Sequence, residues 1–262
     1  IISTRIDILP NDIAIALATL QDDVPPCSKS DIEDTLSSLP FEVDKVFESF
    51  SWEVLGSASI AQVHSAVLTN GHHVAVKILR PHISDKIQSD ILVLRFFAHI
   101  IHLFHPNRSY LRIFDVVEEF QHTCVFECDL RNEAGNYHYM RHLYPKSEKL
   151  YVPKVYWEYS NQHVLVIERV RGIPINDITA LTAAGVNLEK LAKTTVELFF
   201  SQVFEHNFFH ADLHPGNLFV HVSDPENPQY AAVDYGIVGS LSPNDQTYLA
   251  ENIYAFTQRD YQ

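Results

Sequence analysis

Two acidic loops near the C-terminal end of this 262-residue chain constrain it most: His210-Ala211-Asp212-Leu213-His214-Pro215-Gly216-Asn217, then Asp234-Tyr235-Gly236. Asp212 and Asn217 stand five residues apart, and Asp234 opens the second turn. Two carboxylates and an amide oxygen are hard donors of the kind Mg²⁺ takes, commonly beside phosphate oxygens. Moving a γ-phosphate to an acceptor or to water asks for such a set: oxygens to hold the cation and one more carboxylate aimed at the attacking group. Either loop alone is ordinary, because His-x-Asp is usually a surface turn and Asp-x-Gly a β-turn. The order of what lies upstream decides between the readings.

Val74-Ala75-Val76-Lys77 alternates like a strand and ends in a lysine. Ahead of it, Trp52-Glu53-Val54-Leu55 followed by Gly56-Ser57-Ala58-Ser59-Ile60-Ala61-Gln62-Val63 reads as strand, tight loop, strand. Protein kinases carry a glycine-rich loop, a V-A-I-K strand, an H-R-D-x-x-x-x-N loop and a D-F-G turn in this order. There the lysine pairs with the α/β-phosphates, the first Asp stands by the attacking group, and the Asn and second Asp hold Mg²⁺. Against G-x-G-x-x-G-x-V only Gly56 keeps its glycine; Ala58 and Ala61 fill the other two glycine positions, and Val63 matches the closing valine. Alanine adds a Cβ where glycine lets backbone amides close on phosphate, and it resists positive φ. A lid of this composition should hold nucleotide differently from that of an ordinary kinase.

The segment Ser57 to His64, the Val-Ala-Val-Lys strand, the His-Ala-Asp-Leu-His-Pro-Gly-Asn loop, Asp-Tyr-Gly-Ile-Val-Gly and Tyr248-Leu249-Ala250-Glu251-Asn252 together resemble the UbiB/ADCK family of atypical kinases, its bacterial branch above all. The resemblance is dense from Trp52 to Gln262 and looser before it. It implies an α+β, two-lobed protein-kinase-like fold with a helical N-terminal extension, and ATP (or ADP) with Mg²⁺ as cofactors. Glu127-Cys128-Asp129-Leu130-Arg131-Asn132-Glu133 matches the family's E-x-D motif and the kinase-type glutamate after it. Read alone, these acids would suit an exposed helical face equally well. With the resemblance, Glu127 and Asp129 are family-specific site residues and Glu133 is the helix-borne partner of Lys77. Gly56, Ser57, Ala58, Ser59 and Val63 then form the lid, Asn217 and Asp234 hold Mg²⁺, and Asp212 positions water or an acceptor hydroxyl.

The chemistry so implied is that of an ATPase or small-molecule kinase supporting ubiquinone biosynthesis, with polyprenyl quinone intermediates and biosynthetic enzymes as partners. In the full-length protein it implies membrane contact at the cytoplasmic face of the bacterial inner membrane. Two alternatives stand beside it: a protein kinase proper, and a nucleotide-gated lipid- or protein-binding module with little turnover. After Asp-Tyr-Gly the chain runs through Ile237 to Ser242 straight into a helix at Pro243, with no long loop and no A-P-E on which to seat a peptide. Family members also carry an N-terminal K-x-G-Q helix and C-terminal hydrophobic helices. This chain opens at Ile1-Ile2-Ser3-Thr4-Arg5, which resembles the sequence just after that motif, so it reads as a fragment.

The net charge of −14, from 19 basic and 33 acidic residues, argues against nucleic acid as a partner and supplies no polybasic patch for anionic lipid. Cys27, Cys124 and Cys128 form no C-x-x-C pair, and neither His72, His73, His99, His102 nor His105 falls in a metal-binding spacing. Ile91 to Phe104 is apolar but short and interrupted by Arg95, so the expectation is a helix packed on the fold, a partner or a membrane surface, not a spanning segment. Three regions are expected: a helical extension over 1–50, a kinase-like N-lobe with a family insert over 51–170, and a truncated C-lobe over 171–262. In detail, helices should start near Asn11 or Asp12 and at a Ser30 cap, then run from Ile83 to Phe104, Ile113 to Leu143, Leu188 to His206 and from Pro243. Strands are expected between Trp52 and Arg80, as a hairpin of Tyr151–Trp157 with His163–Glu168, and over Asn217–Val222 and Tyr230–Val233. Residues 168–172 would form the hinge between the lobes.

Overall fold

The computed structural model describes residues 25–104 and 112–258. The helix expected near Asn11, the opening Ile1 to Arg5, and His105 lie outside the described residues. Helices are α1 (Lys29–Ser37), α2 (Val43–Val46), α3 (Ile83–Phe104), α4 (Ile113–Glu127), α5 (Leu130–Leu143), α6 (Ile178–Ala183), α7 (Leu188–Phe200) and α8 (Pro243–Gln258). Strands are β1 (Phe47–Ser57), β2 (Ala61–Leu68), β3 (His73–Leu79), β4 (Leu150–Tyr151), β5 (Val164–Glu168), β6 (Ile173–Pro174), β7 (Phe209–His210), β8 (Leu218–His221), β9 (Gln229–Ala232) and β10 (Val238–Gly239). They divide into two compact units, one of residues 1–132 with 155–169 and one of 133–154 with 170–262.

In the first unit β1, β2, β3 and β5 form an antiparallel sheet in that order. Side chains alternate across a strand, so Val74, Val76 and Ile78 share one face with Ala66, Leu68, Val164 and Val166, all buried. Ile32 and Leu36, one helical turn apart on α1, close over that face. The β2–β3 turn runs through Asn70-Gly71, where Gly71 takes φ +82° and its amide donates to Leu68 O at 2.7 Å. That left-handed conformation is what a glycine accepts without a Cβ penalty.

Four expectations are corrected here. The cap of α1 is Ser28, whose extended backbone lets its Oγ accept from Asp31 N; Ser30 lies inside the helix. The strand read from Trp52 begins at Phe47, five residues earlier, where β1 pairs with Leu68. The helix read as continuous from Ile113 to Leu143 breaks at Cys128-Asp129, because the Asp129 carboxylate accepts from Arg131 N at 3.0 Å and starts α5 afresh. The hairpin expected from Tyr151–Trp157 reduces to one bridge, Val155 to Ile167: Pro153 offers no amide to a ladder, and β4 pairs instead with β9. In addition, α3 extends over 22 residues, N-terminal of the apolar stretch, and is thereby long and apolar enough to cross a membrane by length and composition alone.

In the second unit β4, β9, β8 and β6 form a sheet in that order, with β4 and β9 parallel, and β7 pairs with β10. The expected strands of this region shorten at their ends to β8 and β9, and Asn217 sits in a 3₁₀ turn instead of on a strand. Helix α7 starts at Asn187, whose Oδ1 accepts from Lys190 N at 3.0 Å, and its last turn widens into a π-turn over Ser201–Glu205. Tyr137, Met140, Leu181, Val220, Ala231 and Tyr235 make up the fully buried centre.

Candidate functional site

In the first unit, Lys77 lies across from Val63 on β2 and from Leu165 on β5, half-buried, on the sheet face opposite the α1-covered core. Directly cross-strand residues share a face, so Val63 and Lys77, both singled out from sequence, stand side by side. Of the residues expected in the lid loop, Gly56 and Ser57 instead end β1, paired with Val63 and Gln62 of β2, and only Ala58 and Ser59 lie in the short connection that follows. Sequence reasoning missed the residue that shapes it. Arg80, at the exit of β3, donates from Nε to Ala58 O at 3.0 Å and from Nη2 to Ser57 Oγ at 2.8 Å, and its amide donates to Ile60 O at 2.8 Å. Its Nη1 also reaches Pro25 O at 3.0 Å. A planar guanidinium spreads several donors at fixed angles, so one side chain can hold several points of a loop. A Cβ on Gly56 would meet nothing within 4 Å, and its φ is not positive, so neither space nor backbone demands a glycine there.

The rest of that motif is structural. Gln62 and His64 are buried on β2 and hydrogen-bonded to each other at 2.7 Å; Gln62 Oε1 accepts from Cys27 N at 2.8 Å. The His64 Nδ1–Ser51 O distance of 3.0 Å assigns the proton to Nδ1, leaving Nε2 to accept from Gln62. Burial lowers the His64 pKa, partly opposed by the bond to Ser51 O. Glu127 ends α4 and Asp129 lies in the break after it. The Arg131 guanidinium grips the Asp129 carboxylate with Nε–Oδ1 2.9 Å and Nη2–Oδ2 2.5 Å and, chiefly through these hydrogen bonds, lowers its pKa.

In the second unit the two acidic loops are tied into one piece. His210 accepts from Asp212 N through Nδ1 at 3.2 Å, and its Nε2 faces Val233 O, the residue before Asp234, at 3.3 Å. That network assigns the proton to Nε2. Burial lowers the His210 pKa, against the bond to Val233 and the charges of Asp234 and Asp212. The imidazole is therefore neutral near pH 7 and serves as a strut. Asn217 Nδ2 donates to Asp212 O at 3.3 Å, and Val233 N donates to Asn217 O at 2.9 Å. His210 N in turn donates to Gln202 Oε1, a buried side chain on the π-turn after α7. Such turns are frequent where a helix serves a site.

Asp234 has φ +62°, an uncommon conformation for a residue with a side chain and one that Asp tolerates better than most. It is held from α5. Its amide donates to the Tyr137 hydroxyl at 2.8 Å, and Asn136 Nδ2 donates to Tyr235 O at 2.8 Å. The Tyr137 and Tyr235 rings meet edge to face at 4.7 Å, and His210 lies 5.0 Å from Tyr235. Glu133, buried one turn before Tyr137, and Asp234 both push the Tyr137 pKa upward after burial, which places the two carboxylates around one hydroxyl. The structure thus gathers Asp212, Asn217, Asp234 and Glu133 within this unit.

Mg²⁺ commonly takes one or two protein oxygens and completes its shell with water and substrate phosphate. Asn217 spends its Nδ2 on Asp212 O, which turns its Oδ1 into the donor left for a cation, and Asp234 supplies a carboxylate. The pair fits that cation on donor chemistry. Among the described residues no cluster of three or more His, Cys, Asp or Glu could hold a metal ion by protein side chains alone.

The domain described as ABC1 atypical kinase-like matches residues 19–262. The chain is 48 % identical over its whole length to the probable protein kinase UbiB of Cellvibrio japonicus and 45 % identical to that of Marinobacter nauticus. In both cases it spans 48 % of the relative, about half the length of the curated proteins it matches. Among solved structures, the Rv3197 protein of Mycobacterium tuberculosis, solved with erythromycin, superposes with a TM-score of 0.71 at 24 % identity over 99 % of this chain and 64 % of its own. That likeness supports the kinase-like α+β fold. With its loops in family order and the family's domain matching all but its first residues, the chain belongs to the ABC1 atypical kinase-like family.

Proposed function

We propose that this chain is the nucleotide-handling part of a UbiB-type atypical kinase, one that binds ATP with Mg²⁺ and carries out ATPase or small-molecule kinase chemistry in support of ubiquinone biosynthesis. The observation that carries the reading is the strut: a neutral His210 bonded to Asp212 N on one side and Val233 O on the other. It fixes the spacing of the two acidic loops without adding a charge to them. Bound Mg²⁺ would neutralise developing charge on the phosphates. Asn217 Oδ1 and the Asp234 carboxylate are its ligands in this reading, and Asp212, exposed beside them, orients the attacking hydroxyl or water. Lys77 is the cation for the α/β-phosphates and Glu133 the carboxylate of the kinase Lys–Glu pair. Gly56 to Ser59 with Val63 form the lid. Glu127 and Asp129 belong to the same reading as family-specific site residues, with Asp129 held in place by Arg131.

The direct path from Gly236 through β10 into α8 at Pro243 favours a small acceptor or water over a peptide. The test is phosphate release from ATP and Mg²⁺ by the chain and by Asp234→Asn, with and without vesicles and a quinone-like phenol. Release that disappears in a variant melting like the parent supports the proposal. Nucleotide-dependent melting with no release under any condition would overturn turnover and leave the binding-module reading.

A further inference from the structure

The first acidic loop carries a second histidine, His214, that takes no part in the strut. It stands in extended backbone at the head of the 3₁₀ turn Pro215–Asn217, and its Nδ1 accepts from Gly216 N at 3.1 Å. An imidazole nitrogen that accepts carries no proton, so the proton of this ring is on Nε2. The ring also lies against Gly216: a Cβ there would come to 2.8 Å from His214 Cε1 and 3.0 Å from Nδ1, so any other residue would push the imidazole aside. One polar and one steric contact thus hold the Nδ1–Cε1 edge in place, and Nε2–H is left to donate elsewhere.

The other side-chain N–H donors of the loop are spent inside the fold. His210 Nε2 serves Val233 O, and Asn217 Nδ2 serves Asp212 O. His214 Nε2–H has no hydrogen-bond partner among the described residues, and the residue is half-buried. The backbone ties it between the two residues assigned to the chemistry: His214 N donates to Asp212 O, and Asn217 N donates to His214 O, both at 3.0 Å. The Asp212 carboxylate and the Asn217 amide oxygen suit an attacking hydroxyl and a cation, but neither can donate to the oxygens of a phosphoryl group. An N–H can. Donors fixed in advance toward oxygens on which charge develops are commonly the largest contribution to such reactions.

We propose that His214 is a catalytic residue whose Nε2–H donates to a non-bridging oxygen of the phosphoryl group during its transfer. This role rests on the nucleotide chemistry proposed above. In that step the bond from phosphorus to the ADP oxygen breaks as one to water or an acceptor hydroxyl forms, and the acceptor's proton leaves toward Asp212. His214 neither gains nor loses a proton; it acts as a donor and not as a base.

Two substitutions separate the two nitrogens. Asn sets its Oδ1 close to the position of Nδ1, so His214→Asn keeps the cap on Gly216 N and lacks the outer donor. Gln reaches one carbon further, so His214→Gln supplies an N–H close to the position of Nε2 and loses the cap. The chain and both variants are melted to check their fold, titrated with ADP and Mg²⁺, and then titrated with orthovanadate, which takes the geometry of a phosphoryl group in transfer. ADP affinity should agree within about threefold among the three, while orthovanadate affinity should fall about a hundredfold in His214→Asn and stay within about tenfold of the parent in His214→Gln, the loss expected for one such donor. In the parent, which needs no variant, the Nε2 proton of the ring that touches the Gly216 amide should move downfield in ¹⁵N-resolved spectra when orthovanadate is added. An Asn variant that holds orthovanadate as well as the parent, a Gln variant as weak as the Asn, or an unmoved Nε2 proton would each overturn the proposal while ADP binding stands. A parent that binds no ADP would instead overturn the nucleotide reading, and this role with it.

Discussion

Tyr137 and Tyr235 offer a controlled comparison, because the same small change should act in opposite directions at two stacked rings. Both are fully buried, and both rings keep their 4.7 Å edge-to-face contact if only the hydroxyl is removed. The Tyr137 hydroxyl accepts the Asp234 amide at 2.8 Å, whereas the Tyr235 hydroxyl is buried with no hydrogen-bond partner among the described residues. Removing an acceptor from a buried amide costs about 1–3 kcal/mol. Asp234 is only half-buried, so water can recover part of this, and Tyr137→Phe should cost about 1–2 kcal/mol. Removing an unpaired buried hydroxyl relieves its desolvation, so Tyr235→Phe should be neutral or stabilise by up to ~1 kcal/mol. At roughly 2–4 °C per kcal/mol for a chain of this size, Tyr137→Phe should lower Tm by about 2–8 °C, while Tyr235→Phe leaves it level or raises it. Thermal melts followed by circular dichroism measure both. Equal losses in the two variants would refute the reasoning, since ring packing and not the hydroxyl bond would then be holding Asp234 in its left-handed conformation.

Other consequences follow from the same geometry. Burial lowers the pKa of His64 and His210 below the usual 6.5, so the unfolded chain takes up their protons first; the stability they contribute is present above pH 6.5 and drains as pH falls through 6.5 toward the folded values. Tm should accordingly drop between about pH 7.5 and 5.5, by less in His64→Gln, and a flat profile would contradict the neutral-strut assignment. Arg80→Ala should speed amide exchange over residues 56–61, and Arg80→Lys should not restore it; a lysine that did would show that charge, not the guanidinium fork, shapes the loop. Gly239→Ala would push a Cβ to 2.6 Å from the Phe209 ring beside His210 and should cost about 1–3 kcal/mol, whereas Gly56→Ala, with open space around it, should cost nothing measurable.

What could be read from sequence was whatever depends on local pattern. The alternation of Val74, Val76 and Ile78 marked β3, and the spacing of Asp212, Asn217 and Asp234 marked loops that the fold does tie together. Ser28 and Ser30 both head an acceptable capping pattern, and the choice of Ser28 was made by tertiary packing, which sets Ile32 and Leu36 against the sheet. The break before α5 was within reach, for Asp two residues before Arg131 is a good N-cap, but apolar periodicity continues across it and hid the stop. Arg80 and Tyr137 had no signal of their own. Arg80 acts on Ser57 and Ala58, 23 and 22 positions away, and Tyr137 on Asp234, 97 positions away. Only the fold brings such pairs together.

The lid joins the two kinds of information. Its sequence departs from the kinase pattern in losing two glycines, and the one that remains, Gly56, lies on β1 with open space around it, so no close approach requires a glycine there. Arg80 instead fixes Ala58 O and Ser57 Oγ from the end of the strand that carries Lys77, three residues earlier. Under the proposed nucleotide-binding reading, a loop pinned to that strand has little freedom to fold down over phosphates, and the nucleotide geometry it would allow is set in advance by β3. Slow turnover with firm nucleotide retention is the expected kinetic signature, and Arg80→Ala should shift it toward faster nucleotide exchange; unchanged dissociation of a fluorescent ATP analogue from that variant would separate the lid from nucleotide retention altogether.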